Sequence, residues 1–185
     1  IVGLATGYSY TSANYSGSGG GVQNNTWPLT VYGAYLGQSF YAYGSVGYVL
    51  NLFNQERNIQ FGGLKRTATS ATTGNQLNAY AEAGYDLKLK PVIVTPVVSL
   101  AYSGLWLNGY GESGAGALNL EVASQNATSV QTGIGLKIAA PCKMARATII
   151  PQVYATYQHE LANNSRGLNA SLSQGGGTFT FTTDA

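Results

Sequence analysis

The chain has 185 residues, room for one domain, with 25 Gly, 14 Tyr, 9% charged residues and a formal net charge of +2. So few charges, with no basic block and no acidic tail, argue against nucleic acid as a partner. Mean hydropathy is near zero, and no run of about 18 apolar residues exists, so a membrane-spanning helix is excluded.

Alternation begins at the first residues. Val2, Leu4, Thr6, Tyr8 and Tyr10 are mostly bulky, and Gly3, Ala5, Gly7 and Ser9 are small, as in a strand with one crowded face. No charged n-region and apolar h-region precede it, so the gene product is expected to extend before residue 1. Residues 16–25, S-G-S-G-G-G-V-Q-N-N, can bury nothing and are expected to form a mobile external loop. Strands are expected at 27–38 and 40–54, joined by a tight turn at 38–39. In the second, Ala42, Gly44, Val46, Tyr48, Leu50 and Leu52 would face lipid, with Tyr43, Ser45, Gly47 and Asn51 inside. Glu56 and Arg57 mark the return to water, and 62–74, rich in Thr and Ala, reads as a further polar loop.

Residues 76–90 carry the most information. The odd positions Leu77, Ala79, Ala81, Ala83, Tyr85, Leu87 and Leu89 are apolar, while the even ones, Gln76, Asn78, Tyr80, Glu82, Gly84, Asp86, Lys88 and Lys90, are mostly polar or charged. A two-faced strand of about 10 residues or more has the length that crosses a bilayer at a tilt. Past a turn at 90–91, Val98, Leu100 and Tyr102 oppose Ser99, Ala101 and Ser103. Pro96 removes one ladder donor, which is tolerable mainly near a strand end. Two strands, 118–123 and 128–139, are expected to flank a turn at 124–126; in the second, Val130, Thr132, Ile134, Leu136 and Ile138 oppose Ser129, Gln131, Gly133, Gly135 and Lys137. A turn at 141–146 leads to a strand at 148–161, where Ile149, Val153, Ala155 and Tyr157 oppose Gln152, Tyr154, Thr156, Gln158 and Glu160. The closing stretch, 168–184, is rich in Gly and Thr and weaker.

The pattern predicts an all-β fold, an antiparallel up-and-down transmembrane β-barrel in a single domain over 1–185, with about eight or nine strands visible. A soluble β-sandwich, the competing architecture, needs a contiguous core face and shorter strands. Glu82, Asp86, Gln131, Gln152 and Glu160, at the polar parity of their strands, are the candidate lumen-facing residues.

No catalytic constellation emerges, and the chain is expected to be no enzyme. Gly111-Glu112-Ser113-Gly114 approaches a nucleophile elbow but is followed by Ala115, and no helix pattern follows. The one histidine, His159, sits at outward parity near a strand end. Cys142, the one cysteine, has no partner for a disulfide and no Cys/His cluster for zinc, so neither metal nor cofactor is expected. The Gly-rich stretch at 16–22 lacks the Lys-Ser/Thr ending and the helix of a phosphate loop. The sequons at Asn14, Asn24, Asn126, Asn163 and Asn169 reflect polar loop composition.

The order of segments carries a resemblance. Residues 31–48, V-Y-G-A-Y-L-G-Q-S-F-Y-A-Y-G-S-V-G-Y, then A-E-A-G-Y-D-L at 81–87, T-P-V-V-S-L-A-Y at 95–102, G-Y-G-E-S-G-A-G-A-L-N-L at 109–120 and I-I-P-Q-V-Y-A-T-Y-Q-H-E-L at 149–161 resemble successive segments of autotransporter β-domains. Their order and spacing match over about residues 1–181. The resemblance implies a twelve-stranded barrel in the outer membrane of a Gram-negative bacterium, the translocator of a type V secretion protein. It also implies an N-terminal passenger, assembly by the barrel-assembly machinery, and a lumen position for Glu112, in the E-S-G-A segment, against the barrel interior or the segment inside it. This chain departs from the pattern in lacking the first and last strands and the closing aromatic, since it ends Asp184-Ala185. It is therefore expected to be a fragment whose missing strands complete the barrel. The alternative is a standalone small adhesin or porin-like barrel making contacts through loops at 16–25, 62–75 and 107–119; a third reading places enzyme chemistry in a passenger beyond this segment.

Overall fold

The computed structural model describes residues 1–16, 19–145, 147–162 and 166–183. Fifteen strands follow one another: β1 (Val2–Thr6), β2 (Ser9–Asn14), β3 (Gly20–Leu36), β4 (Phe40–Phe61), β5 (Leu64–Tyr85), β6 (Leu87–Leu89), β7 (Val92–Leu107), β8 (Tyr110–Gly111), β9 (Leu120–Val122), β10 (Gln125–Ala139), β11 (Cys142–Lys143), β12 (Thr148–Ile149), β13 (Gln152–Glu160), β14 (Arg166–Leu172) and β15 (Phe179–Thr183). The main sheet runs β1-β3-β4-β5-β7-β10-β13, with β2 prolonging β1 along β3 and β6 prolonging β5 along β7. All of its pairs are antiparallel, each strand lying beside the one before it, which is the up-and-down meander of a barrel. Among the described residues β1 and β13 have one neighbour each, so the sheet is not closed.

The alternation in the sequence becomes two unlike faces. One row runs Val31, Val46, Ala79, Tyr102, Val130 across five strands, and a parallel one runs Ala83, Val98, Ile134, Tyr157. Val31, Val46, Val98, Ile134 and Tyr157 of these rows are exposed, Val46 at 55% and Ile134 at 63%, the others half-buried, and no large side chain among the described residues is fully buried. An apolar patch of this extent exceeds what a soluble monomer carries, and lipid is the solvent that suits it. Aromatic residues bound it at both ends: Tyr8, Trp27 and Trp106 at one, Tyr35, Phe40 and Tyr85 at the other, all outward-facing and exposed. From Trp27 to Tyr35, strand steps of about 3.4 Å give about 27 Å, or about 21 Å at a tilt of about 40°, close to the roughly 25 Å apolar band of outer-membrane barrels.

Beyond the Trp27 level the strands continue, and here the sequence expectation needs correction. The stretch expected as a loop at 16–25 is strand from Gly20 onward, paired with β2 through Asn14↔Gly21 and with β4 through Gly20↔Arg57. The expected loop at 62–74 is the first half of β5; β4 and β5, 22 residues each, close at Phe61↔Leu64. Only Gly62 and Gly63 turn, at φ +53° and +82°, the left-handed pair that a type I′ hairpin requires and that a side chain resists. Outside the membrane both faces of a strand are wet, so the apolar alternation that marks a strand in the sequence is absent.

Other boundaries also moved. The strand expected over 76–90 ends at Tyr85 and resumes as β6 after Asp86. Pro96 lies within β7 rather than at its end, but pairing on that side passes from β6 at Val94 to β5 at Val97, leaving Pro96 where no ladder donor is needed. The expected strand at 118–123 is not a hairpin partner of β10; β9 joins a separate four-stranded sheet, β15-β14-β9-β8. The strand expected over 148–161 is broken at Pro151 and starts anew at Gln152. The last stretch is the hairpin β14–β15, outside the main sheet, with Asp184 and Ala185 beyond the described residues, as is the sequon residue Asn163.

Candidate functional site: the polar face and its mouth

The face opposite the apolar band is polar. Its rungs read Tyr43, Glu82, Ser99, Gly133, Gln158 and, one step on, Ser45, Tyr80, Ala101, Gln131, Glu160. Thr30 of β3, Ser45 and Gly47 of β4, Asn78 of β5, Ser103 of β7 and Gln131 of β10 border a single cavity of about 350 Å³. A cavity bordered by five strands of a one-layer sheet means that the sheet curls with this face concave.

Along this face lie five of the residues singled out from sequence. Glu82 accepts hydrogen bonds from the Tyr41 hydroxyl (2.9 Å) and the Tyr80 hydroxyl (2.6 Å). Asp86, in the gap between β5 and β6, accepts one from Thr95 Oγ1 at 2.6 Å. Gln131 stands opposite Glu160 in the β10–β13 ladder, and Glu160 accepts from Ser129 Oγ (2.7 Å) and the Val130 amide (2.8 Å). Gln152 opens β13 opposite Ala139, exposed.

Glu112 is elsewhere. It lies beside β8, in the segment that leaves β7 at the long-strand end, and its side chain is 7% exposed. Arg57 of β4 grips it with both nitrogens of its fork, Nε to Oε1 at 2.9 Å and Nη2 to Oε2 at 2.5 Å, while Nη2 also donates to the Leu118 carbonyl at 2.9 Å. The Leu120 amide donates to the same carboxylate at 2.9 Å. This bidentate, charge-assisted pair is the strong form of an ion pair. Around it the segment is pinned to β5 by reciprocal Thr69 and Ser113 backbone bonds of 2.8 and 2.9 Å and by Arg66 Nη1 on the Ala115 carbonyl at 2.6 Å. Gly114, at φ +96°, turns the chain where an added Cβ would lie 2.6 Å from the Thr67 carbonyl oxygen. The E-S-G-A segment is thus a built structure at the mouth of the curl. Burial pushes the Tyr110 phenol beside it above its ordinary pKa, with the nearby Glu112 charge adding to the effect.

Tyr41, Tyr80 and Arg57 are the functional neighbours that sequence reasoning missed. Tyr41 and Tyr80 share the parity of Tyr43 and Glu82 and were legible from alternation; Arg57 lies 55 positions from Glu112 and left no local signal. Ser113 Oγ has the Thr69 hydroxyl as its neighbour at 3.4 Å, and His159 stands on the apolar face opposite Thr132. Among the described residues no three His, Cys, Asp or Glu side chains group as a metal site.

The autotransporter beta-domain family model matches residues 1–185, the whole chain. Over 117 residues the chain is 31% identical to proteins named esterase EstA from Pseudomonas aeruginosa and from Pseudomonas putida. That match takes in 62% of this chain and 17% of each relative, so the chain spans a small part of the length of the curated relatives it matches.

Proposed function

The chain belongs to the autotransporter β-domain family and is an outer-membrane translocator barrel; from that premise we propose that it anchors an N-terminal passenger and helps to export and display it. The observation that supports this best is the two-faced sheet: an exposed apolar band of bilayer height on one side and a curled polar face on the other. The polar face is the lumen, lined by Glu82, Asp86, Gln131, Gln152 and Glu160, with Glu112 closing toward its outer mouth. The short-turn end, with the turns after β3 and β6, is periplasmic, and the long β4–β5 hairpin stands on the external side.

Open edges at β1 and β13 would leave backbone donors and acceptors unpaired in lipid, so further strands complete the barrel and residues 1–185 are one part of that single domain. The barrel-assembly machinery inserts it. An activity such as that in the relatives' names would reside in the passenger rather than in this segment. The test is the native polypeptide in an outer-membrane fraction, detected with antibody to this segment, boiled and unboiled. Heat-dependent mobility in a band far above 19.3 kDa, or in a barrel-sized band with a separately released fragment, is the expected result. A heat-modifiable band near 20 kDa would replace secretion with a self-contained adhesin or pore.

A further inference from the structure

Above the apolar band the outer face of the long strands is hollowed into a trough. β2, β3, β4, β5 and the segment after β7 border a cavity of about 760 Å³ there. Ser12, Gln23 and Asn54 line it from one rung of the sheet, and Asn14, Glu56, Thr69 and Ser113 from the next. Counted along the ladders from Val31↔Val46, these positions have the parity of the apolar band, so the trough opens to the outside of the barrel and not to the lumen. Gly21, between Asn14 and Glu56, leaves bare backbone as its floor; an added Cβ would lie 2.8 Å from Asn14 Oδ1. Asn54 is four residues and Glu56 six beyond Leu50, the partner of Trp27. At about 3.4 Å per step and a tilt of about 40°, the trough stands about 10–16 Å above the aromatic level. That is the height of the sugars of an outer-membrane glycolipid, beyond its acyl chains and the phosphates at the interface.

The lining suits hydroxyl groups. It offers amides, hydroxyls and one carboxylate, Glu56, with no Lys, Arg or His among its described residues. Arg57, on the opposite face, is held by Glu112, so a phosphate finds no cation here. Thr69 and Ser113 meet at 3.4 Å and Asn58 accepts from Thr67, whereas Gln23, Asn54 and Glu56 have no side-chain hydrogen bond among the described residues. Their amides both donate and accept and the carboxylate accepts, which matches neighbouring hydroxyls on one sugar ring. Tyr15, at the end of the trough and 51% exposed, presents a ring face on which the C–H face of a pyranose can lie. The volume is that of a small-ligand site. Resting on the membrane orientation proposed above, we infer that this trough binds neutral hexose units of the oligosaccharide carried by the outer-leaflet glycolipid. The contact fixes a glycolipid against the outer wall of the barrel at the foot of the β4–β5 hairpin.

The experiment uses the full-length protein in the outer membrane of intact cells, with p-benzoylphenylalanine placed at Ala71 on the trough wall and irradiated. The expected adduct joins the protein to glycolipid, recognised by mass spectrometry from its sugars together with its hydroxy fatty acids. Its yield should fall about fivefold when Gln23→Ala and Asn54→Ala are combined, as loss of two hydrogen-bonding amides predicts. A similar fall is expected in a strain whose glycolipid stops at its anionic innermost sugars. Heat-modifiable mobility shows that each barrel has assembled; should the double variant not assemble, the comparison of the two strains decides. Adducts to protein alone, adducts to sugar without fatty acid, or an unchanged yield in the assembled double variant or in the truncated strain would each overturn the inference. A protease site inserted between Gly62 and Gly63 separates this inference from the orientation beneath it. Cleavage from outside intact cells with no glycolipid adduct removes the sugar site and leaves the barrel as placed, whereas no cleavage removes both.

Discussion

The β4–β5 hairpin contains two regions that share one ladder and differ in everything else. Near the middle of the sheet, Val46 faces Ala79 and Gly44 faces Ala81 on an apolar outer face, with Ser45 and Tyr80 opposite. Further up, Glu56 faces Thr69 and Asn58 faces Thr67, and the outer face is as polar as the inner one. The hydrogen-bond ladder does not change at the boundary, but the solvent does. Side-chain alternation therefore reports the environment of a strand more than its existence.

The sharpest way to break this comparison is to place the same charge on the same face at two heights. Ala81→Arg, in the apolar band, should destabilise the protein by about 2–4 kcal/mol, whereas Thr69→Arg should change stability by less than about 0.5 kcal/mol. Urea unfolding of the whole protein in lipid vesicles reads both, and equal tolerance would refute the assignment of the band. Next in size is Arg57→Ala, which leaves the Glu112 carboxylate without its fork. Because Arg57 is 37% exposed, about 1–2 kcal/mol is expected, spent on releasing the segment after β7. New protease cleavage between residues 108 and 119 with an unchanged barrel transition would show that; a shift of the global transition instead would mean that the mouth and the wall are one cooperative unit. Gly63→Val, which forces a β-branched residue into a left-handed turn, should cost about 1–2 kcal/mol of local hairpin stability, visible as faster hydrogen exchange at Gln60 and Lys65. Smallest is Glu82→Gln, whose side chain still accepts the Tyr41 and Tyr80 hydroxyls, and the unfolding midpoint should move by less than about 0.5 kcal/mol.

The same division explains what the sequence disclosed. Where lipid touches the sheet, as along Leu77, Ala79, Ala81 and Ala83 or Ile134, Leu136 and Ile138, alternation placed the strands and their inward partners. Gly20 to Asn25 and Leu64 to Thr73 looked like loops because neither face meets lipid and nothing but backbone pairing holds them as strands. β9 could not be matched with β14 because the pairs Val122↔Ala170 and Leu120↔Leu172 span a long stretch of intervening chain. Glu112 was identified through its segment's likeness to a family, while its partner Arg57 needed coordinates. The acidic positions at 82, 86 and 160 followed from parity alone; the tyrosines that dress Glu82 followed from the same parity and were passed over.

Along the path β1-β3-β4-β5-β7-β10-β13 of the main sheet, each strand pairs with the path strand that precedes it. Such a path has low contact order for a β protein, because no strand must wait for a distant partner. Each hairpin can zip onto the edge left by its predecessor, and at every stage a single edge carries the growth. The order in which these residues leave the ribosome is thus also an order in which the sheet can be built, one strand at a time, with the newest edge always the one that the next arrival needs.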